Sequence, residues 1–584
     1  MDDEPSTRRG GRTEATRLLC AGTHLDAVFR RRVIDELVGH AERPVAPQFG
    51  ADVLPVLAHA LHARREEVRT ALLLLAVWAG FLAADAVMAR DALEDAYGGD
   101  AGLSLGDVLL LPLRPDGPGP ALPFGDVVPG RWAVSYALVA LLLWSARTVS
   151  GRGTDTAVLR RVTLPAPLAW VRRYFGQLFT AAVWVLALRY WWFALHAVTD
   201  TPYPVLFPLL LATVVWRHRS VRQGTLRATL ARRAFAAAEQ PALPARYARL
   251  RERIRREQDA SLTLYDVNRP FIGAGTPRKP WSVVLELQPR NQPEKSLAAV
   301  PGQRPPGAAL LTARQIIDMI EPRLRDLRAS AGDGVRDRLR ALEVEEFVYL
   351  PAGVGRDEPL GPGDGSGAGV YGREQVERHL AEAAGEGGEA RRHFLRVRVG
   401  AWDEQVVVSL LVRVHTQGGM LVLEVVPHVL GPVVPAFREV DALVEGEPAG
   451  PLREAVRALV DGPSAGVSLG VAALGTLRSV LRVWQDRPER AAPDAPAVSL
   501  RELASTQELS LFQEMDVTRY IRTLQDRIGE GVRDALHAHG YRTDRLEQHI
   551  TTIHNSGVYI EEMSGGAVAT GTHGQATHTE RSTS

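Results

Sequence analysis

Cysteine is all but missing. The 584-residue chain holds one, Cys20, so an internal disulfide is excluded and zinc sites built from several thiolates go with it. Lysine occurs only at positions 279 and 295. The glycine pair in Phe271-Ile-Gly-Ala-Gly275 is therefore no phosphate loop, because no Gly-Lys-Ser/Thr follows it. A tight connection between strands accounts for it. A net charge of +1 removes the global basic excess of a nucleic-acid binder. Residues 1–20 are polar and arginine-rich, without the apolar stretch of a secretory signal. Paired carboxylates and His/Cys/Asp/Glu constellations with ligand spacing are absent too, so no catalytic, cofactor or metal residues are expected and an enzyme is not expected. Gly466-Val-Ser-Leu-Gly470 matches a nucleophile-elbow pattern, but a helix-and-turn sequence precedes it where that elbow needs a strand.

What is present is a greasy first third. A helix rises about 1.5 Å per residue, so roughly 20 apolar residues cross a hydrocarbon core of about 30 Å. Four runs approach that length: about 71–89, 127–147, 174–193 and 201–216. The last is short and carries Pro202, Pro204 and Pro208, and a re-entrant hairpin over 174–216 would leave the parity unchanged. Arginine accumulates on the cytoplasmic side of a membrane, and the flanking charges alternate. Arg64, Arg65 and Arg69 precede the first run; Asp91, Glu94, Asp95 and Asp100 follow it; Arg147, Arg152, Arg160 and Arg161 follow the second; Asp200 alone lies between the third and fourth; Arg217, Arg219 and Arg222 follow the fourth. The expectation is a multi-pass protein of the inner (plasma) membrane with both termini cytoplasmic. Asp85 and Arg189 are the charges inside the runs. They are a candidate intramembrane ion pair, weighed against each side chain reaching separately for the outer interface.

Before the first run, Leu25, Val28, Phe29, Val33, Ile34 and Leu37 recur at helical spacing beside Arg30, Arg31 and Arg32. This predicts an amphipathic helix packed on protein or on anionic lipid. Residues 1–68 form the N-terminal segment and 69–217 the transmembrane domain. Residues 218–258 are basic and helical, and are expected to meet anionic headgroups and no nucleic acid, since aromatic residues are nearly missing there. Over 259–445, strand-like runs at 261–266, 281–287, 343–350, 393–402, 405–416 and 420–429, with helices at 312–329 and 374–384, predict a cytoplasmic α+β domain built on an antiparallel meander. Residues 446–485 follow as a helical segment; its apolar part, 464–484, is expected to be interfacial or buried, since a fifth span would export the C-terminus.

A Pro/Ala linker (486–498) leads to C-terminal helices over 499–549. Ser499-Leu-Arg-Glu502 is a capping box, and Asp516 is placed to cap a second helix. The stripe Val517, Tyr520, Ile521, Leu524, Ile528 and Val532 suits packing within the domain or pairing with another copy, hence a homo-oligomer. The tail, 550–584, is Gly/Thr/His-rich and either disordered or β-prone.

Three segments carry a resemblance: YDVNRPFIGAGTPRKPWSVVLEL, HFLRVRVGAWDEQVVVSLLVRVHTQGGMLVLEVVPHVLGPV and FQEMDVTRYIRTLQDRIGEGVRDALHAHGYRTDRLEQHITTIHNSGVYI. They resemble a family of uncharacterised multi-pass membrane proteins of high-GC Gram-positive bacteria, which implies this architecture and no activity. The functional expectation is a membrane-anchored scaffold or sensor that presents a cytoplasmic domain to a protein partner. The alternative is a subunit of a transport or channel complex.

Overall fold

The structure is a computed structural model that describes residues 13–41, 43–97, 132–149, 166–258, 260–290, 311–330, 338–352, 373–383, 391–417, 419–446, 450–485 and 495–548. Its main elements are α1 (Glu14–Leu25), α2 (Ala27–Ile34), α3 (Val53–Tyr97), α4 (Trp132–Val149), α5 (Ala166–His196), α6 (Tyr203–Thr229) and α7 (Ala248–Gln258). They continue as β1 (Leu262–Tyr265), β2 (Thr276–Pro277), β3 (Trp281–Glu286), α8 (Ala313–Ser330), β4 (Glu343–Pro351) and α9 (Arg373–Ala383). The remainder are β5 (Arg392–Ala401), β6 (Val406–Gln417), β7 (Met420–Leu430), α10 (Pro435–Glu445), α11 (Pro451–Gln485) and α12 (Leu511–Ala538). Two compact units interleave along the chain. One takes Met1–Ala41, Ala51–Arg255 and Val433–Ala491; the other takes Glu42–Gly50, Arg256–Pro432 and Ala492–Ser584.

The first unit is helical. Phe81 on α3, Tyr136 on α4, Tyr190 on α5 and Val215 on α6 share one apolar core, against which Ala465 and Leu469 of α11 pack. The same helices turn large apolar side chains outward as well: Leu75, Val185 and Leu188 are each about two-thirds exposed. Among the described residues, three helices are long and apolar enough to cross a membrane, Val53–Asp91, Gly176–His196 and Arg453–Thr476, while Trp132–Thr148 is shorter. This differs from the expected four. The run at 201–216 lies in α6, with Pro208 inside the helix and arginines directly after Trp216. The expected interfacial segment is part of a longer apolar helix, α11.

The helix expected around Phe29, Val33 and Ile34 is α2, with these side chains buried, and a further helix precedes it. Residues 14–25 form a helix of their own, and its residues from Ala15 to His24 are buried. Arg17 is buried with them because its guanidinium meets Glu14, Asp441 (2.9 Å) and the Leu230 carbonyl (2.9 Å). Gly22 is required here: a β-carbon would run into the Phe437 ring of α10. In α2, Arg30 is buried while Arg32 is exposed, so the arginine run is split between core and solvent.

The second unit is a mixed sheet with helices. Strand order is β1-β4-β5-β6-β7-β2, with β3 also paired to β7. The β1–β4 pair is parallel and the others are antiparallel. One face carries Val397, Leu410, Leu423 and their neighbours and is covered by α8 and α12. The other carries Phe347, Tyr349, Phe394 and Leu411 around Phe271, with Phe49 beside Val407 and Leu430. Burial on both faces explains why β6 is a near-unbroken apolar run rather than a strict alternation.

The segment 42–50 and the C-terminal turn Leu500–Leu503 are fastened into this body. Arg501 is fully buried; it donates to the carbonyls of Gln405 (2.7 Å) and Gly431 (2.9 Å), and its backbone N–H donates to Gln48 Oε1 (3.0 Å). Helix α12 starts earlier than the sequence suggested. Its N-cap is Ser510, in a reciprocal capping box with Gln513, so Asp516 lies inside the helix. The tail 550–584 and the loop at 98–131 lie outside the described residues.

Candidate functional site

The first unit has a partly open cavity of about 80 Å³ between α1, α2, α3, α6 and α11. Asp26 shapes the chain beside it. It ends α1 and caps α2, its carboxylate accepting from the N–H groups of Val28 (2.7 Å) and Phe29 (3.2 Å). The bend turns His24 and Arg30 toward His62, Glu66 and Glu67 of α3 and toward His218, Arg219 and Arg222 of α6.

The polar groups are tightly organised. Gln240 donates its amide to the carbonyls of Thr229, Phe235 and Ala238, each at 3.3 Å. Its Oε1 then accepts from His59 Nε2 at 2.9 Å, and His59 Nδ1 accepts from His24 Nε2 at 3.1 Å. The network assigns the tautomers, because a neutral imidazole has one donor and one acceptor nitrogen. His24 thus keeps its Nδ1 lone pair. Its pKa is held well below the usual histidine value by burial first, then by the charges of His59, Arg30, His62 and Arg222. Arg30 is paired with Glu67 and donates to the Thr23 carbonyl at 2.9 Å. Burial lowers its pKa, Glu67 opposes that, and Arg31 and Arg222 add to it. At the edge, one carboxylate serves two guanidinium groups: Asp461 of α11 meets Arg147 at 2.5 Å and Arg219 at 3.0 Å.

The residues singled out from sequence lie elsewhere. Asp85 is fully buried. Its carboxylate accepts from the N–H groups of Trp132 (3.3 Å) and Ala133 (2.6 Å) at the start of α4, and from the Tyr203 hydroxyl (2.9 Å). It closes the end of a neighbouring helix, a favourable place for a carboxylate. Arg189 lies over the Phe193 ring, 5.4 Å from its centre. Among the described residues there is no ion pair between the two. We expect Asp85→Ala to cost about 1–3 kcal/mol in detergent melting, since three donors lose their acceptor. The Arg189→Ala effect is expected to add independently in a double-mutant cycle; a coupling above about 1 kcal/mol would restore the ion pair.

The stripe on α12 is brought together with α8 and the sheet. Val517, Tyr520, Leu524, Ile528 and Val532 are buried in that core, and Ile521 packs at its margin. It is a packing face within one chain, not a free face for a second copy. Ser468 lies in the middle of α11, its hydroxyl donating to the Ser464 carbonyl at 3.1 Å; no strand precedes it. Sequence reasoning passed over His24, His62 and His218. They sit far apart in the chain, and a lone histidine in a helical pattern gives no signal of where it converges with others.

A family model described as an AbeC-like domain matches residues 280–568, just under half of the chain. The match starts at the head of β3 and lies outside the four helices α3 to α6. It falls on parts of all three segments that carried the family resemblance. No curated protein and no solved structure matches the chain.

Proposed function

We propose that the chain is a four-span protein of the plasma membrane, with both termini cytoplasmic, that acts as a scaffold or sensor presenting the sheet-containing unit to a protein partner. One observation carries this reading: the second unit is assembled from three stretches of chain. Residues 42–50 precede the apolar helices and residues 256–432 follow them, yet Val45 N–H donates to the Glu257 carboxylate (2.8 Å) and the Arg396 guanidinium lies over the Phe49 ring. Both stretches therefore stand on one side of any membrane, and the number of crossings between them is even.

The same reasoning applies to α11. Strands before it and helix α12 after it share one core, so α11 cannot cross once on the way, whatever its length. Its polar contacts agree, since Asp461 and Ser464 are held by Arg147, at the arginine-rich end of α4. With α11 removed, α3 and α5 cross, and α4 and α6, packed with them in one core, complete an even set. The outward apolar side chains of α3 to α6 then face lipid, and the arginines after Trp216 face anionic headgroups.

The sensor reading follows from connectivity. The segment under the sheet leads directly into α3, and β7 leads directly through α10 into α11. The helical unit is therefore joined covalently to the sheet unit both at the segment ahead of α3 and at the end of β7.

Single-cysteine labelling tests the topology in a Cys20→Ala background. Leu105→Cys is expected to react with an impermeant maleimide in intact cells, and Val300→Cys only after permeabilisation. Labelling of position 300 from outside would overturn the model. Liposomes containing the purified protein are expected to hold ion gradients as well as empty ones; protein-dependent flux would favour a transport role.

A further inference from the structure

We propose that the outer edge of β3 is a strand-docking site, and that its occupant is the segment Ile550–Ile560 of the same chain, running antiparallel to β3. The edge is open. β3 pairs with β7 from Trp281–Val425 to Glu286–Met420, and among the described residues no strand lies on its other side. Successive residues of a strand direct their main-chain groups to opposite sides. The Leu287 N–H donates to the Gly419 carbonyl of the β7 side at 2.8 Å, so the odd-numbered residues of β3 face β7 and Ser282 and Val284 face outward. Among the described residues nothing accepts from their N–H groups. Val284 is 56% exposed, and the Trp281 indole N–H is out of water with no acceptor among the described residues. No charge interrupts the strand before Glu286. Such an edge is a template for another strand.

The chain itself delivers the occupant. Just past β3, the Arg290 N–H donates to the Gly540 carbonyl (2.8 Å) and the Arg542 N–H to the Gln288 carbonyl (3.0 Å), an antiparallel bridge at Pro289–Tyr541. Going forward from Tyr541, the chain therefore heads from the end of β3 toward its start. A helical turn at 544–548 intervenes, and its Leu546 is buried in the sheet core. At about 3.4 Å per extended residue and 1.5 Å per helical residue, Gln548 lies within about 16 Å of Tyr541. Extended, Ile550–Ile560 then reaches about 35 Å, more than the roughly 20 Å of β3.

Composition and charge fit this occupant. Ile550-Thr-Thr-Ile553 and Val558-Tyr-Ile560 are strand formers, with no proline between them. Antiparallel pairing carries Glu561-Glu562 toward Arg278 and Lys279 at the head of β3. Arg278 already meets Glu514 (3.2 Å), but Lys279 has no carboxylate contact among the described residues. Parallel pairing would set the two glutamates beyond Glu286, like charge against like. A strand here gives Ser282 and Val284 their missing partners and closes an edge that a second copy would otherwise use. The proposal is independent of the membrane reading above.

The test uses the full-length protein. Hydrogen exchange is resolved to single amides. The N–H groups of Ser282 and Val284 are expected to exchange at least tenfold faster in Ile553→Pro/Val558→Pro than in the wild type, with Val408 and Leu410 on β6 unchanged. Cross-linking supplies the second readout. In a Cys20→Ala background, Val284→Cys is combined in turn with a single cysteine at each position from 551 to 559, and the protein is oxidised mildly. A disulfide needs β-carbons about 4 Å apart. Bridging is therefore expected within one chain and at positions of one parity, since alternate residues of a strand face opposite sides. Equal exchange of Ser282 and Val284 in both proteins, or bridging without a parity preference, would overturn the proposal. Bridging between chains would overturn it as well and assign the edge to a second copy.

Discussion

Glu67→Ala is expected to destabilise the helical unit by about 3–5 kcal/mol, the cost of leaving a buried charge without its partner. Arg30 is 8% exposed and Glu67 is 2% exposed, and Arg30 is anchored further by the Thr23 carbonyl. Removing the carboxylate leaves a buried guanidinium without its counter-charge. Glu67→Gln keeps an acceptor and should cost less. The double variant Arg30→Met/Glu67→Leu should recover most of the loss, because a well-packed apolar pair often replaces a buried ion pair without penalty. Melting in a fixed detergent measures all three. A Glu67→Ala protein as stable as the wild type would show that Arg30 reaches solvent.

The second large effect belongs to α12. Leu524 is 0% exposed and lies in the core shared with α8 and the sheet. Leu524→Ala is expected to cost about 2–5 kcal/mol, the range for truncating a buried leucine where the site collapses only partly. Oligomeric state, read by light scattering after size exclusion, should not change. If the stripe served to pair two copies, the result would be reversed: little loss of stability and a shift in mass. Phe512, 69% exposed on the same helix, is the control, and its truncation is expected to stay within about 0.5 kcal/mol.

Some of this architecture is legible in the sequence. Strand and helix boundaries in the sheet unit follow local pattern closely, with 281–287 becoming β3 and 343–350 becoming β4. The hydrophobic period of each segment is set by what it must bury locally, and that information is in the segment. Partners are not. The stripe from Val517 to Val532 reads the same whether α8 or another molecule covers it. Asp85 drew attention as a charge in an apolar run, but what satisfies it is the start of a helix some 47 residues on, and backbone donors have no sequence signature. Arg17 and Arg30 look like solvated arginines, because the carboxylates that allow their burial, Asp441 and Glu67, are not their immediate neighbours in the chain. The convergence of His24, His62, His218 and Arg222 was invisible for the same reason.

The three-part assembly of the sheet unit has a consequence for the order of synthesis. Gln48 and its partner Arg501 lie 453 residues apart, and α12 emerges after every strand it covers. While the chain is being made, the face carrying Val397, Leu410 and Leu423 has α8 but not yet α12 over it, and the early segment at 43–50 waits for strands not yet translated. Contacts between such distant residues form slowly, since the loop entropy is lost before any contact is gained. A ribosome that stalls before residue 511 releases a product without α12, whose sheet is covered on that face by α8 alone. Such a fragment exposes part of an apolar face, and a cell that makes this protein must have chaperones or proteases ready for it.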